Sequence, residues 1–232
     1  ASSLNELKSA LDGTQILALA GGFSAGDEPD GSGKFIANVL RESRIADAVM
    51  SLLKQRDGLI LGICNGFQAL IKTGLVPYGE IRDVTENMPT LTFNTIGRHI
   101  SRVARTRVVS AASPWAQDKT VIEPKIHLIP ISHGEGRIII TESLAKDLFA
   151  RGQVFSQYVD ENAVPTMSEP DNPNGSLFAI EGLTSPDGRV LGKMGHNERC
   201  IGDSGELLKN ITTGSDDSIV QNIFRAGVSY FS

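Results

Sequence analysis

The stretch Gly62-Ile63-Cys64-Asn65-Gly66 constrains this chain more than any other, because it stands between an apolar run, Gly58 to Gly62, and a helical pattern from about Phe67 to Lys72. A short apolar run bounded by glycine reads as a buried strand. A strand that must turn into a helix within so few residues needs glycine on both sides of the apex residue. Such a turn lifts the apex side chain clear of the sheet edge. The amides that open the following helix then favour negative charge there, here a cysteine thiolate over a thiol. A free cysteine is more commonly a small buried hydrophobe. The strand–elbow–helix setting tips Cys64 toward a nucleophile.

The remaining pattern extends the same architecture. Ser3-Leu4-Asn5-Glu6 reads as a capping box opening a short helix that Gly13 stops. Gln15 to Ala20 is strand-like and ends at Gly21-Gly22, and a polar loop covers Asp27 to Gly33. Phe35, Ile36, Val39, Leu40, Val49, Met50 and Leu53 share one helical face. Arg102 to Val109, Lys125 to Ile129 and Arg137 to Ile140 look extended, and Leu144 to Arg151 reads as a helix closed by Gly152. Phe178 to Leu183 and Arg189 to Met194 flank Ser185-Pro186-Asp187-Gly188, a type I turn signal and so a hairpin. Short apolar strands alternating with amphipathic helices predict an α/β fold with a mainly parallel sheet. No repeat or linker divides the 232 residues, which read as one domain, 1–232.

Composition excludes several function classes. A formal charge of −5 without a Lys/Arg cluster argues against nucleic-acid binding. No run approaches the roughly eighteen apolar residues of a membrane span, so the cytoplasm is the expected location and no membrane partner is expected. Ala1-Ser2-Ser3-Leu4 lacks the basic and apolar regions of a signal peptide. The two cysteines, Cys64 and Cys200, lack neighbours at zinc-ligand spacing, and no metal site is expected.

A thiolate nucleophile needs a proton shuttle, and the chain has four histidines. His127 lies in an apolar run and reads as structural. His99 sits in a polar, Arg-flanked segment and reads as surface. His196 follows a strand, and in an extended segment Glu198 would point to its side, so that a carboxylate could orient the imidazole. Alone, such an H-x-E pair reads better as an exposed loop; its weight comes from coexisting with the elbow. Acyl transfer also needs oxyanion donors, for which the backbone amides of Asn65 and Gly22 are candidates. The Gly21-Gly22 pair reads equally well as a tight turn.

Together these residues resemble the class I (triad-type) glutamine amidotransferase family, and within it the glutaminase domains of phosphoribosylformylglycinamidine synthases. The matching segments are Gly21-Gly22-Phe23-Ser24-Ala25-Gly26-Asp27, Gly62-Ile63-Cys64-Asn65-Gly66-Phe67-Gln68, Pro130-Ile131-Ser132-His133-Gly134-Glu135-Gly136-Arg137, Asn172-Pro173-Asn174-Gly175-Ser176 and His196-Asn197-Glu198-Arg199. They run in family order along nearly the whole chain. The resemblance implies a flavodoxin-like three-layer α/β sandwich. It implies a catalytic set of Cys64, His196 and Glu198, oxyanion donors at Gly22 and Asn65, and L-glutamine bound by Phe23, Gln68, Ser132, His133 and Gly134. It implies no cofactor in this domain; ATP and Mg belong to the synthetase that receives the ammonia and aminates formylglycinamide ribonucleotide.

Two departures qualify the resemblance. Many relatives carry proline on each side of the catalytic histidine, where this chain has Gly195 and Asn197, so a more flexible loop is expected. Relatives also begin with a strand, a turn and a helix ahead of the point where this chain starts. The expectation is an excised C-terminal piece of a large synthase, with a first strand missing from its sheet and an edge that another chain could fill. Rival readings are a glutaminase serving another acceptor synthetase, a different Cys-elbow hydrolase, and an inactive docking fragment.

Overall fold

The computed structural model describes residues 2–22, 33–200 and 221–232. The first elements are α1 (Ser2–Gly13), β1 (Ile16–Leu19), α2 (Lys34–Arg41), α3 (Ser43–Lys54), β2 (Leu59–Ile63), α4 (Asn65–Thr73) and the short α5 (Leu75–Tyr78). Then follow β3 (Thr90–Phe93), β4 (Ile100–Val108), α6 (Lys119–Ile122), β5 (His127–His133), β6 (Glu135–Ile139) and α7 (Glu142–Ala150). The chain ends with β7 (Val154–Tyr158), β8 (Ile180–Thr184), β9 (Val190–Lys193) and α8 (Ile223–Ser229).

Local chemistry accounts for the element ends. Ser2 Oγ donates to Glu6 Oε1 at 2.7 Å, so Ser2 rather than Ser3 serves the opening turn of α1. The expected long helical face is two helices. They part at Glu42, whose backbone is extended (φ −59°, ψ 129°) and whose carboxylate accepts the Arg44 and Ile45 amides at the start of α3. α3 then buries Ile45, Ala48, Val49, Leu52 and Leu53 on one face, roughly 2 kcal/mol for each large side chain. The Thr141 hydroxyl caps α7 by accepting the Leu144 amide at 3.3 Å.

A seven-stranded sheet runs in the order β1-β2-β9-β8-β7-β4-β5, with β3 and β6 paired antiparallel in a separate small sheet. The α/β class holds, but the sheet is mixed rather than mainly parallel. Among the described residues only β1–β2 and β2–β9 are parallel pairs, and β9–β8, β8–β7, β7–β4 and β4–β5 are antiparallel. The reason is visible in the connections: β8 and β9 are joined by the tight turn closed by Gly188 N–H to Ser185 O at 2.9 Å, too short for a crossover helix. β1 forms one edge of the sheet. β2 is buried along its whole length, and α4, which follows it, is buried at every position but Lys72. That burial fixes the junction between them, where Cys64 sits. No helix among the described residues is long and apolar enough to cross a membrane.

Candidate active site

Cys64 occupies the β2–α4 junction with φ 52° and ψ −105°, a conformation that costs an L-residue about 1–3 kcal/mol and persists only where its surroundings hold it. The flanking glycines are steric necessities. A Cβ on Gly66 would lie 2.1 Å from Leu19 O, and one on Gly62 would lie 2.5 Å from Leu70 Cδ1 and 2.8 Å from Gly66 O. The elbow therefore wedges α4 against the end of β1, and this brings the Gly21-Gly22 turn over the cysteine.

His196 meets the cysteine at that turn. The point where a Gly21 Cβ would stand is 3.2 Å from Cys64 Cβ and 2.6 Å from His196 Cε1. His196 is buried, its amide donates to Pro130 O at 2.8 Å, and its Nδ1 contacts Glu198 Oε1 at 2.5 Å. With Nδ1 donating to a carboxylate, Nε2 is the atom that carries the lone pair of the neutral ring, and it is buried without a hydrogen bond among the described residues. Glu198 is half-exposed, with Arg199 Nε 3.9 Å from the same oxygen. Burial pushes its carboxyl up, but the hydrogen bond and charge of His196, with Arg199, bring it below the usual range. The pair does not meet by strand alternation, since Asn197–Cys200 forms a 3₁₀ turn. The turn folds Glu198 back onto the imidazole.

The thiol is more reluctant than its helix position suggests. Burial pushes Cys64 up to about 11, outweighing the amides of Asn65 and Gly22 and the Arg199 charge, all of which favour the thiolate. Desolvation of a buried sulfur wins over the helix terminus. The thiol donates to Ser132 O at 3.5 Å, so at rest its hydrogen bond is directed to a carbonyl rather than to His196. The Asn65 and Gly22 amides both face the sulfur, where an oxyanion formed on an acyl group at Cys64 would be found.

The residues expected to bind substrate lie around the same point, except Phe23, which lies outside the described residues. Gln68, one helical turn beyond Cys64, is buried and donates from Nε2 to Glu135 O at 2.5 Å, while its Oε1 is buried without a partner among the described residues. Ser132 and His133 end β5, which alternates buried and half-buried side chains, and Gly134 follows it. Asn94 organises this turn. Its Nδ2 donates to His133 O at 2.8 Å, its Oδ1 accepts from His133 Nδ1 at 3.1 Å and Gly136 N at 3.2 Å, and its amide donates to Gly134 O at 2.9 Å. Burial, with His196 and His99 nearby, holds His133 down at about 3, so it is neutral.

Other side chains enter that the sequence reading left aside. His99 is exposed as expected, yet its Nε2 lies 3.0 Å from Ser132 Oγ, at the rim of the site. His127 is buried and structural, bonded to Val121 O at 2.9 Å. Cys200 is buried, with its sulfur 3.8 Å from His196 O. The expected flexible loop around His196 is instead tied down: Gly195 N–H donates to Glu181 at 2.7 Å and Asn197 accepts from Lys193 at 2.6 Å. Asn94 gave no sequence signal, whereas Lys193 did, as a lysine inside an otherwise apolar strand. No group of three metal-ligating side chains gathers among the described residues. A thiol, an imidazole with a free lone pair, an orienting carboxylate and two amides facing the sulfur can together carry out acyl transfer from an amide.

Comparison with known proteins points the same way. Residues 1–231 match the CobB/CobQ-like glutamine amidotransferase domain. The subunit PurQ of phosphoribosylformylglycinamidine synthase from Salinibacter ruber is 34% identical over 206 residues, covering 87% of this chain and 79% of that protein. The protein of the same name from Methanococcus maripaludis strain C7 is 31% identical over 229 residues, covering 94% of this chain and 81% of its own. A chain in the structure of PurLQS from Thermotoga maritima superposes with a TM-score of 0.65 at 27% identity, covering 95% of this chain and 82% of that one.

Proposed function

The chain belongs to the CobB/CobQ-like glutamine amidotransferase domain family, and from that premise we propose that it hydrolyses L-glutamine through a thioester on Cys64. The ammonia passes to an ATP-dependent synthetase that converts formylglycinamide ribonucleotide to formylglycinamidine ribonucleotide in cytoplasmic purine synthesis. The observation that carries the reading is the convergence of Cys64, the His196–Glu198 pair and the Gly22 and Asn65 amides on one point. The PurQ relatives and the PurLQS structure support the acceptor and the partner.

The steps follow from the groups present. His196 Nε2 takes the thiol proton, and the sulfur attacks the carboxamide carbon of glutamine while the Gly22 and Asn65 amides receive the developing oxyanion. The imidazolium gives its proton to the departing nitrogen, and ammonia leaves. Water, deprotonated by His196, then cleaves the γ-glutamyl thioester, releasing glutamate and restoring the thiol. Glu198 holds the imidazole in the tautomer this requires. Gln68 and the Ser132–Gly134 turn, with Phe23, hold the amino-acid end of the substrate.

The resting geometry fits an enzyme that is quiet by itself, because the thiol is protonated and bonded away from His196. Contact with the synthetase or substrate must turn the sulfur toward Nε2 before the first step. The test uses the chain assembled with its synthetase. Cys64→Ala should abolish glutamine-dependent turnover and leave ammonia-dependent turnover intact, since only the nitrogen source is lost. Equal loss of both contradicts the division of labour.

A further inference from the structure

Behind His196 lies a set of polar groups that the proposed steps do not use. Lys193, at the end of β9, and Glu181, on β8, are both fully buried, with Nζ 3.6 Å from Oε1. Lys193 Nζ donates to Asn197 Oδ1 at 2.6 Å and to Gln221 Oε1 at 2.9 Å. Asn197 Nδ2 donates in turn to Gln221 O at 2.7 Å and to Gln221 Oε1 at 2.9 Å. Glu181 Oε1 accepts the Gly195 amide at 2.7 Å, and its other oxygen accepts the Ser156 hydroxyl. The residues on either side of His196 are thus each gripped by a buried side chain. The grip is close: a Cβ on Gly195 would stand 2.9 Å from Glu181 Oε1 and 3.2 Å from Lys193 Nζ.

A buried ion pair is a poor source of stability, because desolvation offsets most of the attraction and apolar residues of the same size do as well. What a hydrogen-bonded buried network supplies is one fixed arrangement in place of several, and here each of these polar side chains is bonded, with the Gln221 Nε2 donor alone lacking a partner among the described residues. Here the fixed element is the stretch 195–197. Its middle residue must present Nε2 to the Cys64 sulfur, and its backbone lacks the stiffness that proline would supply.

We propose that Lys193, Glu181 and Gln221 are positioning residues that set the depth and orientation of the His196 imidazole through Gly195 and Asn197. Gln221 couples this to the segment that opens α8. The inference rests on the reading of His196 as the proton carrier. Among the described residues none of the three side chains is hydrogen-bonded to Cys64, Gln68 or the Ser132–Gly134 turn. Lys193 meets Cys64 through its backbone carbonyl, which accepts the Cys64 amide at 2.9 Å. Substitution of these side chains therefore acts on catalytic geometry rather than on glutamine binding.

The experiment measures glutamine-dependent kcat and KM, ammonia-dependent turnover and melting temperature in the chain assembled with its synthetase. Gln221→Leu removes the shared acceptor, and Gln221→Glu restores an acceptor at the same place for both Lys193 and Asn197. Gln221→Leu should lower glutamine-dependent kcat roughly 10- to 100-fold, as expected when a catalytic group is displaced by a fraction of an ångström to one ångström. KM should change little and ammonia-dependent turnover should persist. Gln221→Glu should recover most of the kcat. Wild-type kcat in a folded Gln221→Leu protein overturns the proposal, as does a parallel fall of kcat and ammonia-dependent turnover, or no recovery in Gln221→Glu. Lys193→Met should repeat the kcat loss if it folds, and the Gln221 pair decides if it does not. A Cys64→Ala control separates the two levels. Glutamine-dependent turnover surviving in Cys64→Ala overturns the reading of the site itself, whereas its loss there beside an unaffected Gln221→Leu overturns the positioning role alone.

Discussion

Replacing Gly21 with alanine adds one methyl group at the point where the nucleophile and the imidazole come together. The new Cβ would stand 2.6 Å from His196 Cε1 and 3.2 Å from Cys64 Cβ. Carbon atoms in contact settle at about 3.5–4.0 Å, so the imidazole must retreat by about 1 Å. Gly21 is not among the glycines with positive φ, so the left-handed penalty on alanine does not arise there. His196 has little freedom to yield, being buried at 1% exposure, bonded through Nδ1 to Glu198 and through its amide to Pro130 O. A displacement of about 1 Å costs about 100-fold in rate, equivalent to about 2.7 kcal/mol in the barrier. The assay is glutamine-dependent turnover of the chain with its synthetase, alongside ammonia-dependent turnover, which should not change. Gly13→Ala, where nothing lies within 4 Å of the new atom, serves as the control. Crowding can also destabilise the fold by about 1–3 kcal/mol, so melting is followed in parallel. A folded Gly21→Ala protein with kcat within about twofold of wild type would refute the placement of His196 against Cys64 or its part in the reaction.

Further outcomes follow from the same geometry. In the chain alone, Cys64, held up near 11 by burial, should be alkylated by iodoacetamide at a rate rising about tenfold per pH unit between pH 7 and 10; a plateau near pH 8, followed by peptide mass mapping, contradicts this. The folded state keeps that proton after the unfolded thiol, with its ordinary value of 9.0, has lost it. Stability should therefore fall as pH climbs from about 9 toward 11, and Cys64→Ala should remove about 1–3 kcal/mol of that fall in denaturant titrations. Glu198→Gln should lower glutamine-dependent kcat roughly 10- to 100-fold, less than for a fully buried triad carboxylate, because the Glu198 side chain is 43% exposed and water can take part of its role. Asn94→Ala should destabilise the fold by about 1–3 kcal/mol by leaving buried partners unpaired and raise KM for glutamine more than it lowers kcat. Equal effects on the two parameters would detach Asn94 from substrate binding.

The elbow is legible because its requirements are local: Gly62 and Gly66 have no room for a side chain, β2 is apolar, and α4 is buried at every position but Lys72. His196 and Glu198 were legible as a pair but not in their geometry, since the 3₁₀ turn that joins them leaves no periodic signature. The turn Ser185-Pro186-Asp187-Gly188 is legible as a hairpin, and by making β8–β9 antiparallel it turns into a mixed sheet what the alternating first third reads as mainly parallel. β3 and β7 carry no pattern distinct from loop, because Thr90–Phe93 is a four-residue strand paired, among the described residues, with β6 alone and Val154–Tyr158 mixes polar residues into a buried strand. The thiol's reluctance was out of reach as well. It depends on burial by residues far apart in the chain, which outweighs the helix terminus that the sequence does show. Asn94 and Lys193 act through contacts about forty and four residues away, respectively, and only the second left a mark, as a charge in an apolar run.

The central claim is that Cys64 attacks the carboxamide carbon of glutamine. A glutamine analogue carrying a diazo-ketone in place of the carboxamide tests it directly, because only a nucleophile placed against that carbon is alkylated. Incubated with the chain and its synthetase, the analogue should label one site, Cys64, with glutamine protecting it and Cys64→Ala or His196→Ala preventing it, all read from peptide masses. Labelling at Cys200, or undiminished labelling in Cys64→Ala, would contradict the account.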